Sequence, residues 1–187
     1  MNFPDIKKNK KKENTNTQIH KYIMTSQLEK VKEFNRAFNL EVPENVQTNF
    51  FTQDTFVVDL KMNLIREEMM ELEEGVKNKD IVETADAIGD LFYVLNGMAI
   101  SMGLAMDDIF DHIHESNMSK LCDSLEQAEE TVAWYKEHPE KGYDTPMYRP
   151  CNHPKLKDKY VIYNGSTGKI LKNKYYKAVN MKPFLEK

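Results

Sequence analysis

Glycine and proline are scarce, seven of each in 187 residues. A turn-rich all-β fold uses more of both, so helices are favoured. Cysteine is scarcer still. Cys122 and Cys151 lie far apart and without a partner motif, which excludes a disulfide framework and makes a reduced, cytoplasmic compartment the expectation. An excess of basic charge is lacking too. Lys and Arg number 26 against 30 Asp and Glu, a net charge of −4, so no global basic field points to nucleic acid. No apolar run approaches the roughly 18–20 residues of a membrane span. The charged N-terminus lacks the apolar stretch of a signal peptide. Neither a membrane nor a nucleic acid is expected as a partner.

What is present is helical periodicity. Residues 1–23 read as a polar, disordered tail, and its KKNKKK run reads as solvated rather than as a nuclear signal or an RNA contact. A helical domain is expected over 24–138. Its first helix starts near residue 24 with Thr25 or Ser26 as cap, and Leu28, Val31, Phe34 and Phe38 fall at helical spacing. EVPEN (41–45) breaks the pattern. A second helix is expected over 54–77 and a third over 80–102, joined by KNKD and ended near Gly103. A fourth opens at Asp107 or Asp108. A fifth starts at Ser124 and stops before Pro139. Residues 139–187 read as an extension in which PMYRP is a loop and KYVIYNGSTGKILKNKYYKAV is a β-hairpin turning at NGSTG. The expected fold class is therefore all-α, a bundle of four to five helices with a small C-terminal β-hairpin appendage.

Residues 83–95, ETADAIGDLFYVL, pose the functional question, because three carboxylates sit in an otherwise apolar helix. Advancing about 100° per residue, Asp86, Asp90 and Glu83 fall on one narrow stripe. On the preceding helix Glu68 and Glu71 fall within the apolar arc set by Leu60, Leu64, Ile65 and Leu72, and Glu67 lies at its edge. Two antiparallel helices thus present acids inward, where unpaired carboxylates are costly. Both arcs read as free of Lys and Arg, so the acids need a cation. Hard oxygen donors suit Mg²⁺, with Mn²⁺ the alternative, rather than Zn²⁺. Mg²⁺ keeps waters and holds phosphates, which suggests metal-assisted phosphate chemistry. A solvated or salt-bridged acidic face explains any one of these residues, but poorly explains five at these phases. A di-iron bundle needs Glu-x-x-His pairs, and the second and third helices contain no His.

IREEMMELEEGV followed by ETADAIGDLFYVLNG, and then HESNMSKL (114–121), resembles the MazG-like, phosphoribosyl-ATP-pyrophosphohydrolase-like superfamily of all-α nucleoside triphosphate pyrophosphohydrolases. EEMME (67–71) matches the first half of its EExxE…ExxD pattern, and Asp90 matches the last Asp. The Glu expected three residues before Asp90 is Ala87, while Glu83 and Asp86 form an ExxD one turn earlier. The resemblance implies that Glu68 and Glu71 bind Mg²⁺, that Glu67 supports them or orients the water, and that Asp90 completes the set. Asp86, with Glu83, is inferred to replace the missing ligand. Asn117 and Lys120 would meet the nucleotide, and Tyr93 is a further candidate contact. His112, His114 and Trp134 read as surface or packing residues. The expected activity is cleavage of a (deoxy)nucleoside triphosphate, or a phosphoribosyl-ATP-like substrate, to monophosphate and pyrophosphate by a homodimer or homotetramer. The competing class is a non-catalytic helical interaction protein with a degenerate metal site, binding through its lysine-rich hairpin.

Overall fold

The computed structural model describes residues 26–53 and 55–185. The readings made for the tail and for Thr25 lie outside them. Two compact units result, one ending at Leu104 and the other beginning at Ala105.

In the first unit Ser26 caps helix α1 (Gln27–Ala37), its hydroxyl accepting from the Glu29 N–H at 3.2 Å. This satisfies one of the free donors of the first turn. Leu28 and Val31 of α1 are buried, and α1 packs on α4 (Ile81–Ser101). A short helix, α2 (Phe50–Gln53), precedes the long α3 (Thr55–Asn78). The α3–α4 pair is the framework of this unit. Its turn is tight for two reasons. Lys79 takes a left-handed φ of 57°, and Asp80 caps α4 by accepting from Val82 N–H at 2.9 Å and Glu83 N–H at 3.2 Å. Close approach also depends on Gly75, because a Cβ there would lie 2.9 Å from the Thr84 nitrogen. Gly103 ends α4 at φ +68°. The 38–49 loop returns to this end, where Gln47 N–H donates to Met102 O at 2.9 Å.

The second unit holds α5 (Met106–Met118), α6 (Leu125–Glu137), a 3-10 turn (Pro139–Lys141), β1 (Pro146–Pro150), β2 (Tyr160–Asn164) and α7 (Lys182–Leu185). Ser124 caps α6 as the sequence predicts, accepting from Gln127 N–H at 3.2 Å. Helix α5 starts at Met106 without a side-chain cap. Asp107 and Asp108 instead occupy its first turn, where the helix dipole favours carboxylates. Cys122, Ala128, Val132, Tyr135, Ile162 and Leu171 form the core. Helix α6 therefore packs on the sheet, which is why the unit boundary falls inside the stretch 24–138 that periodicity groups together. Both cysteines are free.

All-α architecture with a small antiparallel β element is as expected, but the strand pairing differs. PMYRP is a strand, and it pairs with YVIYN in the register Tyr148↔Ile162. NGSTG turns the chain back as expected, onto a short return segment that meets β2 at the antiparallel bridge Tyr163↔Ile170, with Asn164 N–H donating to Lys169 O and Leu171 N–H to Ile162 O, both at 2.8 Å. A strand with Pro at both ends is tolerated because a two-stranded sheet consists of edges. Among the described residues no single helix is long and apolar enough to cross a membrane.

Candidate functional site

The α3–α4 hairpin brings four of the expected acids into one electrostatic group around Glu68. Burial pushes the Glu68 carboxyl above the usual carboxylate range, and the charges of Asp90, Glu71, Glu67 and Asp86 push it further. Among the described residues, Glu68 Oε2 is the one buried side-chain oxygen or nitrogen without a hydrogen-bond partner. None of the five acids forms an ion pair with a described Lys or Arg. Glu83 exerts no such effect on Glu68. It stands in the first turn of α4, where the dipole and the Asp80 cap account for it.

The inward orientation read from the sequence needs correction. Only Glu68 is half-buried, while Glu67, Glu71, Glu83, Asp86 and Asp90 are exposed on this chain. Helix α4 is apolar nearly all round, yet Ile81 is 77% and Val82 71% exposed. The helical wheel gives the stripes correctly but cannot say what covers them. Ala87, at the place of the superfamily's Glu, is 2% exposed, so that position has become part of the packing.

The donor set fits a hard divalent cation: an unpartnered carboxylate oxygen stands among four like charges, with no His or Cys beside it. Among the described residues no three acidic, His or Cys side chains converge on a common point. Bringing such charges together requires a cation between them, because their mutual repulsion opposes convergence.

Beyond the acids, the first unit contains a cavity of about 710 Å³ bounded by α1, the 38–49 loop, α2, α3 and α4. Its walls are mainly apolar, with Val31, Phe34, Phe50, Leu60 and Leu64 among them. Tyr93 lines this cavity and meets Phe34 edge-on at 5.6 Å between ring centres. Sequence reasoning missed two further lining residues, Asn35 and Lys61. The reading that no Lys lies within either apolar arc was mistaken. On the wheel of the second helix Lys61 falls about 60° from Leu64, inside the arc. Burial lowers the Lys61 pKa. Asn35 likewise follows Val31 by one turn, on the apolar face of α1.

Asn117 and Lys120 lie in the second unit, where the Lys120 ammonium donates to Asn117 Oδ1 at 2.7 Å. Their pairing keeps both side chains on one helix end. His112 is exposed, as expected of a surface residue, with its ring edge-on to Phe184, and Trp134 stacks on His138 as a packing residue. Four lysines of the extension are engaged locally. Lys159 pairs with Asp123 and Lys174 with Glu130, while Lys169 and Lys172 lie over the rings of Tyr143 and Tyr176.

Residues 31–117 match the family model described as phosphoribosyl-ATP pyrophosphohydrolase. The resemblance read from the sequence is borne out for that segment, which spans the whole α3–α4 hairpin. An uncharacterized protein of Acanthamoeba polyphaga mimivirus is 27% identical, over 83% of this chain and 94% of its own length.

Proposed function

We propose that this protein is a nucleotide pyrophosphohydrolase that uses Mg²⁺, or Mn²⁺ in its place, to cleave the α–β phosphate bond of a nucleoside triphosphate or a phosphoribosyl-ATP-like nucleotide. The observation that carries this reading is the unpartnered Glu68 Oε2 at the centre of four other carboxylates, within a segment that matches the pyrophosphohydrolase model. Glu68, Glu71, Asp86 and Asp90 would hold the metal. Glu67 would orient the attacking water, and Glu83 would stand outside the set. When bound, the metal supplies charge neutralisation for the phosphates and lowers the pKa of a coordinated water. The chain's own part is positioning and electrostatics, which dominate phosphoryl-transfer catalysis. Raised proton affinity at Glu68 supports a site that takes a cation.

Asn117 and Lys120 are proposed to contact the nucleotide, Lys120 as a mobile positive charge for phosphate. The exposed apolar residues of α3 and α4, Met70, Val76, Ile81, Val82, Phe92 and Leu95, support a homodimer or homotetramer in which a second copy covers them. Exposed apolar side chains in this number favour burial against a partner.

The test is pyrophosphate release in Mg²⁺ from each canonical nucleoside and deoxynucleoside triphosphate and from phosphoribosyl-ATP. Release that disappears in Glu71→Gln and in excess chelator supports the reading. Folded protein that releases pyrophosphate from none of them refutes it and favours the non-catalytic alternative.

A further inference from the structure

Among the polar residues that line the cavity of the first unit, with Glu41 and Gln47, are Asn35 and Lys61. Asn35 is only 3% exposed, lines the cavity, and among the described residues its side-chain amide makes no hydrogen bond. The amide keeps contact with the solvent of the cavity and offers a ligand there both a donor and an acceptor. Lys61 also lines the cavity, half-buried and without a carboxylate partner among the described residues. Its ammonium lies beside Gly97, where a Cβ would be 3.6 Å from Nζ. Apolar walls with a few convergent polar groups, enclosing about 710 Å³, are the character of a small-molecule site.

The position of Lys61 relative to the acids narrows the ligand. Lys61 and Glu68 are seven residues apart on α3 and so share a face, about 10 Å apart along the axis. Helical side chains lean toward the N-terminus, which carries the Lys61 ammonium further from the acids. An α-phosphate held at Glu68 would then lie short of it. The part of a nucleotide beyond the α-phosphate and the ribose would come nearer to Lys61 in that orientation.

We propose that this cavity holds the nucleotide's base and selects one with a ring carbonyl (uracil, thymine or guanine) over one with an amino group in its place (cytosine or adenine), Lys61 being the residue that selects. An ammonium is a donor only. It pairs with O4 of a uracil-type base or O6 of guanine, and faces a like donor at N4 of cytosine or N6 of adenine. Asn35 can accept from the adjacent ring N–H. The edge-on pair Phe34 and Tyr93 supplies aromatic surface for the flat ring. The proposal rests on the pyrophosphohydrolase reading for the orientation of the nucleotide, and it names the substrate class that reading leaves open.

The experiment measures binding, not turnover. Calorimetry on the full chain compares dUMP, dTMP, dGMP, dCMP and dAMP, first with the wild type and then with Lys61→Met. The keto monophosphates are expected to bind about tenfold more tightly, the effect of one charge-assisted hydrogen bond. Lys61→Met should abolish that ratio without lowering thermal stability, since it removes a desolvated charge. Asn35→Leu should weaken the keto monophosphates without creating a preference for cytosine. Equal affinity across the wild-type panel, a preference for cytosine or adenine, or a ratio unchanged in folded Lys61→Met overturns the proposal. Pyrophosphate release without base preference sinks this inference and leaves the proposed function standing. Neither binding nor release of any nucleotide sinks both.

Discussion

Replacing Glu68 with Gln should stabilise the metal-free protein and abolish its stabilisation by Mg²⁺. In the folded chain the Glu68 carboxyl is raised above its ordinary range by burial and by the surrounding charges of Asp90, Glu71, Glu67 and Asp86. The folded state therefore binds this proton more tightly than the unfolded state does, and stability falls as pH rises through the raised value. At neutral pH the ionised carboxylate is a net cost. For a half-buried group with one unpartnered oxygen the cost is about 1 kcal/mol after solvent screening. Gln carries no charge, so the variant should melt a few degrees higher in chelator at pH 7, with the difference vanishing below pH 4.5, the ordinary Glu pKa. Metal reverses the order. A hundredfold excess of Mg²⁺ over Kd adds about 2.7 kcal/mol to any state that binds it alone. That corresponds to a rise of roughly 5–10 °C for a chain of this size. The assay is a pair of thermal melts, with chelator and with Mg²⁺, for the wild type and the variant. Equal stabilisation of both by Mg²⁺ refutes the assignment of Glu68 as a ligand. A chelator melt in which Glu68→Gln is the less stable protein refutes the electrostatic reasoning.

Gly103→Ala should cost more than 1 kcal/mol in a denaturant melt, because φ is +68° and the new Cβ would lie 2.0 Å from Asn45 O; a neutral effect contradicts the loop packing described. Ala87→Glu, which restores the superfamily pattern, should destabilise by roughly 1–3 kcal/mol without raising Mg²⁺ affinity, since the position is 2% exposed; tighter Mg²⁺ binding would show that Asp86 has not taken over. Asp144 is held down to about 2 by hydrogen bonds from Ser166, Asn164 and Thr145. Its carboxyl carbon should titrate by NMR with a midpoint near 2, and the stability it contributes to its turn should be full above the ordinary 3.8, decline as pH falls below that, and be gone below about 2. A midpoint at the ordinary 3.8 contradicts the network.

Much of the fold was legible because helix ends are written locally. Ser26, Asp80 and Ser124 are capping residues with the side-chain bonds to show for it, and Gly103 stops a helix through its own backbone. Strand β1 was not legible. PMYRP offers neither alternation nor a free run of donors, and it becomes a strand only because YVIYN and α6 bury one side of it. The acid stripes were legible from phase alone. Their exposure was not, because a wheel cannot distinguish a face covered by the same chain from one left open. Lys61 was legible and was overlooked, although its phase places it in the apolar arc. Asn35 draws its meaning from the cavity, which five separate segments build and no local pattern announces.

The central claim is that carboxylates on the α3–α4 hairpin hold a metal that serves α–β phosphate cleavage. Phosphorus NMR of the wild-type chain with Mg²⁺ and a keto-base triphosphate tests it most directly. The account predicts monophosphate and pyrophosphate appearing in equal amounts, and neither product from Glu71→Gln under the same conditions. Diphosphate with inorganic phosphate, or pyrophosphate formed undiminished by Glu71→Gln, would contradict it.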